Sequence, residues 1–339
     1  MKTAIVGASG YAGTELLRLL LDHPNFEPTV ITAHSNAGEL ISSVAPQLAK
    51  LGDRRFESFD LAKVNACDLV FLALPHGESA ALIAQLAPSL KVVDLGADFR
   101  LTSAEKWAQY YGGTHAGTWT YGLPELPGNR SIIAKSIRVA NPGCYATSIS
   151  LAIAPALGLI DSSDIVVVAA SGTTGAGRSA RVNLLGSEVM GSLSSYKFGG
   201  VHQHTPEIEE ALSHTAGSEV KISFTPILAP IPRGILSTVT AKLTTTATTE
   251  TVHALYTAAY AADEFVTVLP IGQMPKTNSV IGSNHVHLQV AVDPHTNRLI
   301  VSAAIDNLGK GAASQAIQNA NLICGLPENT GLATLGLGV

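Results

Sequence analysis

Charge is what this chain has least of. Asp, Glu, Lys and Arg make up 14% of its 339 residues, against roughly 25% in an average soluble domain. No basic excess exists: 21 Lys and Arg stand against 26 Asp and Glu, a net charge of −5. A general nucleic-acid binder needs basic surface to displace counterions, so nucleic acid is not an expected partner. With 46% hydrophobic residues, the composition also excludes a disordered chain, which pairs low hydrophobicity with high net charge. Low charge implies little exposed surface per residue, as in a large two-domain protein or an oligomer that buries one face.

Cysteine is scarce as well. Cys67, Cys144 and Cys324 are odd in number and widely spaced. No disulfide framework is expected, and a reducing cytoplasm is the expected setting. Long apolar runs are missing. The longest, from Ile149 to Ile160, is broken by Ser150, Pro155 and Gly158, short of the about 20 residues a spanning helix needs. The run behind Met1-Lys2-Thr3 ends at Gly7, too short for the core of a secretion signal. No membrane partner is expected.

What the chain does have is glycine, 31 residues, and two textures. Before about residue 145, short apolar strands (Thr3–Val6, Thr29–Thr32, Asp68–Ala73, Lys91–Leu95) alternate with helical segments (Thr14–Leu21, Ser79–Leu86). Continuous apolar strands separated by helices indicate a parallel sheet covered on both faces. After about residue 160, Ile165–Ala169, Glu219–Pro226, Gly234–Leu243, His285–Val292 and Leu299–Ala304 are strand-like, several with alternating polarity. That pattern fits antiparallel strands with one wet or interface face. Thr244–Thr251 is expected to be a solvated linker, and Gly311–Cys324 carries helical spacing. The fold class is α/β: a Rossmann-like doubly wound dinucleotide-binding domain plus an α+β domain with a large mixed sheet.

The first strand runs into Gly7-Ala8-Ser9-Gly10-Tyr11-Ala12-Gly13 ahead of a helix. In that context small residues let the backbone approach a pyrophosphate, and the helix N-terminus favours the anion. The second strand ends Thr32-Ala33-His34-Ser35-Asn36, without the acid that binds the ribose hydroxyls of NAD. A 2′-phosphate is tolerated there, with Ser35 and His34 as donors, which favours NADP(H).

Asn141-Pro142-Gly143-Cys144 precedes an apolar helix. A helix N-terminus stabilises a thiolate, so Cys144 is the candidate nucleophile. Cys67 and Cys324 fit small buried hydrophobes. His202-Gln203-His204-Thr205-Pro206-Glu207 lies before a helix at Glu207–Leu212 and can present an imidazole as acid or base beside a carboxylate. Spacing does not decide between His202 and His204. His-x-His recurs at His285 and His287. Neither pair has a cysteine or carboxylate cluster beside it, so no metal is expected. Ser171–Arg178 is a second glycine loop, able to form an anion nest. Arg178, Arg181 and Arg233 are candidates for bidentate binding of carboxylate or phosphate; a surface or interface role is the alternative for Arg181.

Together these segments resemble one family. They are the first glycine loop, Leu74–Ser79 (LPHGES), Asp94–Arg100 (DLGADFR), Tyr121–Glu125 (YGLPE), Asn141–Tyr145 (NPGCY), Ser171–Arg178 (SGTTGAGR), His202–Glu207 (HQHTPE) and Pro232-Arg233-Gly234. In this order they resemble the N-acetyl-γ-glutamyl-phosphate reductases of arginine biosynthesis, over nearly the whole chain. Gly96 and Thr174 stand where serine is usual, and Gln203 where arginine is usual.

The resemblance implies an NADP-binding domain at 1–145, with a C-terminal helix at 308–339 packing back on it, and a catalytic and dimerisation domain at 146–307. It implies reduction of the acyl phosphate to the semialdehyde through a Cys144 thioester, with His202 and His204 as the acid/base region, in a homodimer or homotetramer. It implies cofactor binding by Gly7, Ser9, Gly10, Tyr11, Ala12, Gly13, His34, Ser35, Pro75, Gly175 and Asn307. Substrate binding is implied for Asn141, Arg100, Arg178, Arg181 and Arg233. Two other readings remain on the residues alone: a reductase of a related acyl phosphate, of the aspartate or amino-adipate type, or a non-catalytic NADP-binding sensor. The sensor would need neither the cysteine nor the histidine loop.

Overall fold

The computed structural model describes residues 1–338. They form two compact units. The first comprises Met1–Pro124, Gly128–Pro142 and Ala312–Leu332; the second comprises Glu125–Pro127, Gly143–Gly311 and Ala333 onward. The chain passes into the second unit at Gly143, not after residue 145, so Cys144 belongs there. Of the expected C-terminal segment, Leu308–Gly311 and the residues after Leu332 also belong to the second unit.

The first unit is built on six strands, β1 (Lys2–Val6), β2 (Glu27–Thr32), β3 (Leu69–Leu72), β4 (Lys91–Asp94), β5 (Thr120–Tyr121) and β6 (Arg138–Ala140). Their order is β2-β1-β3-β4-β6-β5, and every pairing is parallel. Every residue of β3 is buried, which is why DLVFLA shows no polar alternation. Helix α1 (Tyr11–Leu20) buries Leu16, Leu17 and Leu20. The order reverses at β1, and ligands of doubly wound sheets bind beyond the carboxyl ends of the strands at such a point. The first glycine loop therefore stands where the topology puts a ligand.

The second unit holds seven strands: β7 (Ile160–Ser171), β8 (Ser194–Ser195), β9 (Ile222–Leu228), β10 (Ile235–Leu243), β11 (Val266–Val268), β12 (Val286–Asp293) and β13 (Arg298–Ile305). Their order is β11-β12-β13-β10-β7-β9-β8. The sheet is mixed: β7–β9 and β11–β12 are parallel, the remaining pairs antiparallel. Helix α2 (Cys144–Ile153) packs on β10 and β13, and α3 (His204–Ala216) packs on α2. Helix α4 (Thr249–Ala259) packs on β12. Strand β10 alternates buried and exposed residues along its length. Val166, Val168 and Leu236 remain 37%, 42% and 36% exposed.

The threonine-rich stretch corrects the sequence expectation. It is not a linker throughout, because α4 begins at Thr249. Thr248 accepts from the Thr251 N–H at 3.3 Å, and Thr251 Oγ1 accepts from the Thr248 N–H at 3.0 Å. This is a reciprocal cap with threonine in place of the usual Glu or Gln, so composition concealed it.

The C-terminal helix α5 (Ser314–Ile323) belongs to the first unit. It is buried on its polar as well as its apolar positions, and side-chain amides tie it to its surroundings. Asn319 Nδ2 donates to Gly122 O and to Asn141 Oδ1, both at 2.9 Å. Among the described residues no helix is long and apolar enough to cross a membrane.

Candidate active site

In the first unit the site is made of backbone. Gly7 sits at φ +89°, and a Cβ there would lie 2.4 Å from Ala73 O. The Gly7 and Ala8 N–H groups both donate to Thr32 O, at 3.2 and 2.8 Å, which pins the loop to the end of β2. A Cβ on Gly13 would lie 2.4 Å from Gly7 O, so helix and turn touch backbone to backbone. Gly10 differs: the nearest atom to a Cβ there is 3.8 Å away. Gly10 is also the N-cap of α1, with no side-chain cap and no acid in the first turn. The α1 N-terminus is thus a cradle that a side chain would fill, electrostatically suited to an anion. Tyr11, Ala12 and Gly13 form its first turn, with Ser9 just before.

His34 and Ser35 lie exposed just past β2, and no carboxylate stands among residues 32–36. Pro75 is exposed on the loop after β3. Asp98 holds that loop, accepting from the Gly77 N–H at 2.7 Å and the Ala80 N–H at 3.0 Å. Asp94 accepts from Ser79 Oγ at 2.9 Å and the Gly96 N–H at 2.8 Å. Burial pushes its carboxyl up to about 6. Arg100 is buried and donates to Leu95 O at 2.8 Å. The Asn141 amide is engaged at both ends, with Ala312 O at 3.1 Å and Asn319 Nδ2 at 2.9 Å.

In the second unit the site is made of side chains. Cys144 is the first residue of α2, after an extended Gly143 at the N-cap. Gly143 has no room for a side chain, because a Cβ would lie 2.4 Å from His204 Nε2. The His204 ring therefore rests against the residue that precedes the thiol. The Gly143 N–H donates to Glu207 Oε1 at 2.7 Å, and Glu207 is buried. One helix, α3, supplies both contacts: His204 is its first residue and Glu207 lies in its first turn. The sequence pattern started this helix at Glu207; it starts three residues earlier because Pro206 falls in the first turn, where its missing N–H costs nothing.

The two histidines separate by environment. His202 is buried, and its Nδ1 accepts the His204 N–H at 3.0 Å. Burial, then the nearby His204 and Lys197, push His202 down to about 2. His202 is therefore a neutral cap on α3 across the working pH range. Of the walls around this pair the sequence marked Tyr145 but left Tyr196 and Phe224 unmarked. The Tyr196 hydroxyl donates to the Tyr145 hydroxyl at 3.0 Å. The His202 ring packs edge-on against Tyr145, Tyr196 and Phe224. Burial raises both phenols, Tyr196 to about 12, so neither serves as a base near neutrality.

Arg178 and Arg181 are exposed on the second glycine loop and just beyond it. Arg233 is held by Asp306 through two contacts, Nε–Oδ1 at 3.1 Å and Nη2–Oδ2 at 2.6 Å. Asn307 accepts from the Gly234 N–H at 2.7 Å and donates to Thr174 Oγ1 at 3.0 Å, tying the two loops together. A Cβ on Gly175 would lie 3.8 Å from Asn307 Nδ2, so these two expected cofactor residues are neighbours. His285 and His287 are half-buried; burial holds both down, and the other's charge adds to this at His285. Among the described residues no group of three or more His, Cys, Asp or Glu gathers as metal ligands.

Comparison with known proteins agrees with this architecture. Residues 2–136 match the family model "Semialdehyde dehydrogenase, NAD binding domain", and residues 144–307 match "Semialdehyde dehydrogenase, dimerisation domain". A protein of Acidothermus cellulolyticus named N-acetyl-γ-glutamyl-phosphate reductase is 57% identical, over 99% of this chain and 98% of its own. One of the same name from Streptomyces coelicolor is 53% identical, over 99% of each. The chain belongs to the N-acetyl-γ-glutamyl-phosphate reductase family. The expected family and fold class are both borne out. The fold is shared with solved aspartate semialdehyde dehydrogenases. Aspartate semialdehyde dehydrogenase II of Vibrio cholerae, complexed with ASA, superposes with a TM-score of 0.71 at 15% identity, covering 95% of this chain and 98% of that one. The Candida albicans enzyme with NADP gives 0.69 at 16% identity, with the same coverage.

Proposed function

We propose that this protein reduces N-acetyl-γ-glutamyl phosphate to N-acetylglutamate 5-semialdehyde and phosphate, with NADP(H) as its cofactor. The observation that carries the proposal is the seating of Cys144 at the first position of α2, behind a glycine that lies against His204 Nε2. A nucleophile at a helix N-terminus beside an imidazole is the arrangement that thioester chemistry requires.

His204 takes the thiol proton. Cys144 Sγ forms a bond to the acyl carbon, the bond to the phosphate oxygen breaks, and His204 returns the proton to the departing phosphate. When bound, NADPH supplies the hydride that reduces the acyl group. The C–S bond then breaks, the aldehyde leaves, and Cys144 takes up through His204 the one proton the overall reaction consumes. The Gly143 N–H is taken by Glu207, so the oxyanion donors are assigned to Tyr145 and Ala146 at the open first turn of α2. Glu207 fixes the loop that carries Cys144, and His202 fixes the start of the helix that carries His204.

The α1 cradle (Gly7, Ser9, Gly10, Tyr11, Ala12, Gly13) is assigned to the cofactor pyrophosphate. His34 and Ser35, exposed and without a neighbouring acid in residues 32–36, are assigned to the 2′-phosphate, which supports NADP over NAD. Pro75 in the first unit, and separately Gly175 and Asn307 in the second, are assigned to cofactor binding. The exposed Arg178 and Arg181 are assigned to the substrate's anionic groups. Arg100, Arg233 and Asn141, whose side chains bind Leu95, Asp306 and Ala312, are assigned to positioning. The test follows NADP⁺ reduction with phosphate and N-acetylglutamate semialdehyde, against aspartate semialdehyde. Activity with the first supports the reading; activity only with the second, or with neither, overturns it.

We assign the bare sheet face around Val166, Val168 and Leu236 to a homodimer or homotetramer. Val168→Lys is expected to halve the mass seen by light scattering; an unchanged mass contradicts this.

A further inference from the structure

Between β13 and α5 the chain makes a single π-helical turn, Gly309–Ala313. Such turns are rare and recur at functional positions, because the extra residue re-aims the backbone. Here the turn is aimed at the cysteine. The Gly311 N–H donates to Asp306 O at 2.9 Å. A Cβ on Gly311 would lie 2.7 Å from Cys144 Cβ and 3.2 Å from its Cα. The backbone of the turn therefore rests directly on the residue that carries the thiol.

The residue before Gly311 is Lys310, and its side chain is wholly buried. Lys310 Nζ lies 2.5 Å from Glu125 Oε1, with the two side chains 0% and 1% exposed. The ammonium also sits 5.5 Å from the centre of the Phe265 ring. A buried ion pair adds little to stability. Desolvation of both charges offsets their attraction, and an apolar pair of similar volume is often as stable or more so. What a buried pair can do is fix a register, because each charge is held where its counter-charge stands. Glu125 stands 185 residues away in sequence and plays no part in the chemistry described above.

We propose that the Lys310–Glu125 pair is a positioning device for Cys144, locking the π turn so that Gly311 holds the nucleophile in its attacking orientation. The proposal rests on Cys144 being the nucleophile. The pair touches no reacting atom; it acts through the turn.

The experiment uses the full chain and two variants. In the double variant Lys310→Met/Glu125→Leu no buried charge is left behind. In Gly311→Ala the other end of the device is disturbed. Three quantities are read: the thermal midpoint, kcat with KM, and the rate of Cys144 alkylation by iodoacetamide between pH 6 and 9, followed on the Cys144 peptide by mass spectrometry. The double variant is expected to melt at or above the parent, with kcat down at least tenfold, KM within twofold, and the alkylation profile displaced. Gly311→Ala is expected to lose kcat at least as much. A folded double variant with parental kcat and parental alkylation overturns the proposal, leaving the pair a structural feature only. If the double variant does not fold, full kcat in Gly311→Ala overturns it equally. Failure of the underlying reading shows elsewhere, as turnover by Cys144→Ser.

Discussion

The two units make their sites from different materials. The first unit binds with backbone: Gly7 and Gly13 exclude side chains by contact at 2.4 Å, and Gly10 leaves open room at the start of α1. The second unit works with side chains drawn from distant parts of the chain, Cys144, Tyr196, His204 and Glu207, with the Lys310 turn behind them. The glycine-loop site is contiguous, because the conformation of one short segment creates it. A side-chain site has no such constraint, because the fold gathers it. The contrast predicts that single substitutions in the second unit act on turnover, whereas those in the glycine loop act on cofactor binding.

The largest effect expected from this contrast separates the two histidines. His204→Asn is expected to lower kcat by about 10²–10³-fold. His202→Asn, which keeps an acceptor for the His204 N–H, is expected to lower it far less. Their pH behaviour sharpens the difference. The His202 imidazole is held down to about 2 in the folded protein, below its unfolded value of about 6.5. Its stabilising effect is therefore complete above pH 6.5 and is lost as pH falls below it. Between pH 6.5 and 4.5 that loss amounts to roughly 2–3 kcal/mol. Denaturant melts of His202→Asn are expected to lack this acid decline; an unchanged slope contradicts a buried, neutral His202 imidazole.

The smallest expected effect is in the first unit. Gly10→Ala meets no clash, so its thermal midpoint is expected to stay at the parental value. Titration with reduced cofactor is expected to show binding weaker by about tenfold, roughly 1.4 kcal/mol. Unchanged affinity would remove the cofactor from the α1 cradle.

The same division explains what the sequence disclosed. Strand, glycine loop and helix were visible because their signals are local, and the parallel sheet followed from apolar strands such as Leu69–Leu72. Cys144 and the His202–Glu207 segment stood out because Pro-Gly and a histidine loop mark turns. The Glu207 contact to the Gly143 N–H joins residues 64 apart. The Tyr145–Tyr196 contact joins residues 51 apart. No spacing rule connects such pairs. Arg233 looked like an anion binder by residue type, and only the structure shows that Asp306 occupies two of its nitrogens. The helix start at His204 was hidden by Pro206, and that of α4 by a threonine cap.

Everything in the second unit turns on Cys144 carrying the acyl group. The direct measurement is intact and peptide mass spectrometry of the protein incubated with oxidised cofactor and N-acetylglutamate semialdehyde without phosphate. An acyl adduct is expected on the Cys144 peptide, one that disappears on adding phosphate and is absent in Cys144→Ser. An adduct on another residue, or phosphate-dependent turnover by Cys144→Ser, would contradict it.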